Sequence, residues 1–141
     1  MFKKKYKKVK NQNIDNNNIL IAALLIHAAK IDENYTDVEK SIVKRALMDL
    51  NKITPIEAEN LLMAAEEKEK DSNQIVEFTK EIKKKPTDFK LKVIEILWKI
   101  VYSDNVDDMY ESNLIRRVCG LLYISDKDSG VIKLKIKDII K

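Results

Sequence analysis

Residues 24–50 read LLIHAAKIDENYTDVEKSIVKRALMDL, and residues 96–122 read ILWKIVYSDNVDDMYESNLIRRVCGLL. The two stretches superimpose at a shift of 72 positions. Leu24 meets Ile96, Leu25 meets Leu97, Ala28 meets Ile100 and Ala29 meets Val101. Apolar positions match in any two amphipathic helices, so these pairs are weak evidence. The polar pairs are stronger, because Asp32 meets Asp104, Glu39 meets Glu111 and Arg45 meets Arg117 at the same offset. Each unit reads as a helix, a short turn carrying Asp, and a second helix with Glu in its first turn and Arg two turns in. This is an αα-hairpin used twice.

Working outward, the first helix is expected from about Asn17 to Lys30, apolar on nearly every face and therefore central. Thr36 and Glu39 form a capping box that opens a second helix, with Val38, Ile42, Val43, Ala46, Leu47 and Leu50 as its apolar set. Thr54-Pro55-Ile56-Glu57 opens a third, to about Glu69, with proline at the first helical position. Ser72 is expected to cap a fourth helix carrying Ile75, Val76, Phe78 and Ile82, before Pro86 and Thr87 break the chain. A fifth runs from Asp88 to about Ser103 on the stripe Phe89, Val93, Ile96, Leu97, Ile100 and Val101, and a sixth starts at Asp108. Ser125 caps a seventh. There Ile132-Lys133-Leu134-Lys135-Ile136-Lys137 alternates like a strand, but Ile132, Ile136, Ile139 and Ile140 also share a helical face, and a lone strand has no partner.

The expected architecture is an all-α bundle of about seven helices with two pseudo-symmetric hairpins. Residues 17–141 make a single domain and residues 1–16 a basic tail. Only two Gly and two Pro occur in 141 residues, which excludes the turn-rich chemistry of a sandwich or barrel. The formal charge is +4, but six of the 27 basic residues (Lys3, Lys4, Lys5, Lys7, Lys8 and Lys10) lie in the first ten positions, leaving 21 against 23 acidic ones. Basicity therefore belongs to the tail and not to the folded body. Cys119 is the only cysteine, so an intrachain disulfide and Cys-pair metal sites are excluded. The apolar run Ile19–Ala29 falls short of the roughly 20 residues that span a bilayer, and no signal peptide is evident, so the expected location is cytoplasmic.

Ala28-Ala29-Lys30-Ile31-Asp32 followed by Glu39, and Leu97-Trp98-Lys99-Ile100-Val101-Tyr102-Ser103-Asp104 followed by Glu111 and Leu114-Ile115-Arg116-Arg117-Val118, resemble the TerB-like tellurite-resistance domain. The same domain occurs at the N-terminus of membrane-anchored DnaJ-type co-chaperones. The resemblance covers about residues 17–135. The family usually has Gly directly after the turn Asp, where this chain has Glu33 and Asn105. The resemblance implies an all-helical fold, no enzymatic activity and a candidate divalent-cation site at the acidic turns.

Asp32, Glu39, Asp104 and Glu111 are accordingly the candidate ligands for Ca²⁺ or another divalent cation, since hard cations take carboxylate and carbonyl oxygens. The same glutamates stand where capping-box acids bond the N-cap amide. Arg45 and Arg117 are candidate structural ion-pair residues across the hairpins. His27, the sole histidine, lies in an apolar helix with no nucleophile or acid placed beside it in sequence, which argues against a catalytic base. The reading is a non-catalytic interaction and stress-response domain acting on protein partners, without specific nucleic-acid binding. The alternative is a membrane-peripheral or co-chaperone-like adaptor, the basic tail making a weak membrane-surface contact.

Overall fold

A computed structural model describes residues 16–31, 35–71, 74–104 and 109–140. Among them the chain forms seven α-helices and no strand: α1 (Asn16–Lys30), α2 (Asp37–Asn51), α3 (Pro55–Asp71), α4 (Ile75–Thr79), α5 (Thr87–Val101), α6 (Met109–Leu122) and α7 (Asp126–Ile140). Short 3₁₀ turns, Ile82–Lys84 and Tyr102–Asp104, follow α4 and α5. The all-α bundle is as expected from the repeat.

Central position follows from apolarity. Every residue from Leu20 to Ile26 is buried, and α1 packs most extensively on α3, then on α4, α2 and α5. Its counterpart α5 buries Val93, Ile94, Ile96, Leu97, Trp98, Ile100 and Val101 and packs on α7, α2, α1 and α6. All seven helices contribute to one core.

The caps form where the side chains allow them. Glu39 N donates to Thr36 Oγ1 at 3.1 Å while Thr36 N donates to Glu39 Oε1 at 2.9 Å. The box repeats at Thr54 and Glu57, at 3.2 and 2.9 Å. At α7, Asp128 N donates to Ser125 Oγ at 3.0 Å, so the alternating Ile–Lys stretch is helical.

The internal repeat extends further than the paired hairpins. Lys52 follows α2 and Tyr123 follows α6, both left-handed, with φ of 54° and 61°. In both, the next amide bonds back five residues, Ile53 N to Met48 O at 3.3 Å and Ile124 N to Cys119 O at 2.9 Å. This is a Schellman ending built without glycine. A capping Thr54 or Ser125 follows, and then α3 or α7, where buried Ala58 and Ala65 correspond to buried Ser129 and Ile136 at a shift of 71. Each unit is therefore three helices. The change from 72 to 71 arises because α6 is one residue shorter than α2.

Several expected core positions are corrected. Val38 is 60% exposed, because the inward place at the start of α2 belongs to Glu39, which continues the stripe of Val43, Ala46 and Leu47. Val76 and Ile139 are exposed as well, since Ile75 with Phe78, and Ile136, supply the buried faces of their helices. The fourth helix begins at Ile75 after Gln74, which makes no side-chain cap bond. The fifth gives way to a 3₁₀ turn after Val101. Ser72 and Asp108 lie outside the described residues.

Candidate functional site

Helices α2 and α5 meet at the junction of the two repeats and leave between them an open groove of about 570 Å³. Ile42, Ala46 and Leu50 of α2 and Ile96 of α5 line its floor. Spacing of three and four puts these residues on the facing edges of both helices. The same periodicity brings Arg45 and Asp49 of α2, and Lys92, Glu95 and Lys99 of α5, to the rim, with Lys52 added by the left-handed end of α2. Lys99 pairs with Glu95 at 3.5 Å. Arg45, Lys52 and Lys92 have no acidic partner within salt-bridge distance among the described residues. An apolar floor under a mainly cationic rim can hold an amphipathic surface. It holds no described constellation of nucleophile and base.

Arg45 therefore sits on the groove rim, and Arg117 is likewise exposed, beside a smaller pocket of about 300 Å³ with Ile75, Val76 and Leu121. Both arginines are exposed, and the turn acids Asp32 and Asp104 expected to face them across the hairpins are not among the described side chains. Glu39 is 2% exposed, and its Oε1 accepts from Thr36 N and from Thr36 Oγ1. Asp104 closes a 3₁₀ turn and Glu111 lies in the first turn of α6. Their side chains, Asp32 and the tail lysines Lys3, Lys4, Lys5, Lys7, Lys8 and Lys10 are outside the described set. Among the described residues no three His, Cys, Asp or Glu side chains cluster as a metal site would require.

Two polar clusters escaped the sequence. Glu69 is 8% exposed, with His27 Nδ1 3.1 Å from its Oε2 and Lys30 Nζ donating to its Oε1 at 2.8 Å. Burial pushes the Glu69 carboxyl up, but the bonds and charges of Lys30 and His27 outweigh it and hold the carboxyl below its ordinary value. Close by, Tyr35 Oη donates to Glu66 at 3.0 Å, and the Lys40 ammonium lies 5.0 Å from the centre of the tyrosine ring. Burial, then Glu66, push the Tyr35 phenol well above its usual range. A signal existed for Glu69, which lies seven residues after Leu62 and four after Ala65, on the inward stripe of α3. Cys119 is buried, and burial raises its thiol. That leaves it a structural residue.

Among the described residues no helix is long and apolar enough to cross a membrane. A family model described as "Tellurite resistance protein TerB" matches residues 18–134. No curated protein and no solved structure matches the chain.

Proposed function

The chain belongs to the TerB family, and on that premise we propose that it is a non-catalytic interaction domain of the stress response the family name describes, engaging a protein partner through the α2–α5 groove. The observation that carries this reading is the groove itself, which joins an apolar floor of Ile42, Leu50 and Ile96 to the cations Arg45, Lys52 and Lys92. Buried apolar area supplies affinity, and the charged rim supplies selectivity and rate of encounter. Site-specific photo-crosslinking in cells tests it. A crosslinker at Leu50 or Lys92 is expected to trap a defined protein that one at exposed Met63 of α3 does not. Equal labelling from all three positions would defeat the proposal.

Binding of a divalent cation at the acidic turns is a separate proposal. The recurrence of Asp32 and Asp104 supports it. Glu39 does not fit the role of an open ligand, because its carboxylate is buried and engaged in a helix cap.

A further inference from the structure

Helix α7 is fastened to the bundle on one side. Trp98 Nε1 donates to Ser129 Oγ at 3.1 Å, Ile136 is buried, and the Lys133 ammonium lies 5.0 Å from the centre of the Trp98 ring. The opposite side carries Lys127, Val131, Leu134 and Asp138, all exposed, with Val131 and Leu134 at 61% and 62%. Their spacing of four, three and four residues is that of a two-helix seam, which keeps one stripe facing a partner helix.

The stripe is complementary to itself. A second α7 laid antiparallel, related by a two-fold axis midway between Val131 and Leu134, sets Val131 against Leu134 of the other copy. The same operation sets Lys127 against Asp138 of the other copy, and each contact occurs twice. Such a face satisfies the requirement of an isologous interface, in which one patch must match itself. The exposed charges along the helix also balance, Lys127, Lys135 and Lys137 against Asp126, Asp128 and Asp138. An anionic lipid surface would meet Asp138 at the end of the stripe, where a second copy supplies Lys127.

We propose that the outer face of α7 is a self-recognition surface that pairs two copies of this chain antiparallel. It is distinct from the α2–α5 groove and does not depend on the reading given to that groove. One helix pair buries less than the ~1,200 Å² of a typical stable complex, so the dimer is a weak one.

Sedimentation equilibrium of the full chain from ~20 μM to ~1 mM spans the affinities such a contact can supply. The weight-average mass is expected to rise from 16.4 kDa toward twice that value. Leu134→Glu should hold it at the monomer while leaving the helical spectrum and melting temperature unchanged, since the side chain is exposed. Lys127→Asp and Asp138→Lys should each be monomeric alone. Mixed in equal amounts they should associate again, because the mixed pair restores both charge contacts. A monomer mass throughout the range, an association untouched by Leu134→Glu, or a mixture no better than its components would overturn the proposal. So would a monomeric wild type that sediments with phosphatidylserine vesicles and loses that ability in Leu134→Glu, which would give the face to lipid.

Discussion

His27 and Glu69 meet across the α1–α3 seam, the imidazole Nδ1 3.1 Å from a carboxylate oxygen that is almost wholly removed from water. Lys30, one turn along α1 from His27, takes the other oxygen at 2.8 Å. The long-range pairing fixes the register of the two helices with the most extensive contact in the fold, because a buried carboxylate without donors is costly.

Glu69→Gln is expected to lower stability at neutral pH by about 2 kcal/mol, as loss of a charge-assisted buried bond does when one donor can turn to solvent. The folded carboxyl titrates below its ordinary value of 4.5. Its contribution is therefore complete above that pH and is lost as pH falls through the lower, folded value. Urea unfolding should show the gap between wild type and Glu69→Gln at pH 7 closing as the pH falls below 4.5. A gap of constant size would mean that the carboxylate charge is not what stabilises.

The two left-handed helix ends invite the opposite kind of change. Lys52 and Tyr123 hold φ of 54° and 61°, where a β-carbon costs about 1 kcal/mol and glycine costs little. Lys52→Gly is expected to raise the melting temperature by a few degrees. Tyr123→Gly should gain less, because Lys83 and Lys90 stand 5.9 and 6.0 Å from its ring centre and lose that contact. Calorimetry of the two variants checks the order. A destabilised Lys52→Gly would show that the Schellman ending is not the strained point.

Leu25 and Leu97 coincide under the repeat, and both are fully buried. Leu25→Ala and Leu97→Ala should each cost about 2–5 kcal/mol in chemical denaturation. A loss under about 1 kcal/mol at either would break the equivalence of α1 and α5.

These positions also show how much the residues alone disclosed. The Asp, Glu and Arg recurrences at a shift of 72 gave the two hairpins. Thr36, Thr54 and Ser125 marked the starts of α2, α3 and α7 because a cap is a local interaction. Equivalence of α3 with α7 was hidden by the one-residue slip at Tyr123, which breaks a constant-shift comparison. Val38 misled because periodicity of three and four tolerates an apolar residue at the edge of a stripe, whereas the packing placed Glu39 inward. The groove depends on how α2 and α5 cross, and the Glu69 cluster on how α1 meets α3. Neither relation is local, so Arg45 could be singled out in sequence without its setting on a rim.

The acidic turns separate cap from cation. Glu39 bonds Thr36 through both its backbone amide and its carboxylate, so Glu39→Ala should cost about 1 kcal/mol with or without a divalent ion present. If Asp32 and Asp104 hold a hard cation, Ca²⁺ should raise the melting temperature of wild type and of Glu39→Ala alike, since a ligand binding only the folded state stabilises it by mass action. Asp32→Asn with Asp104→Asn should then abolish the rise, because the amide keeps the shape but loses the charge that attracts the ion. Titration calorimetry with Ca²⁺, Mg²⁺ and Mn²⁺ gives the direct reading. No heat from any of the three, together with an unchanged cap-sized loss in Glu39→Ala, would end the cation proposal and leave Glu39 to its helix.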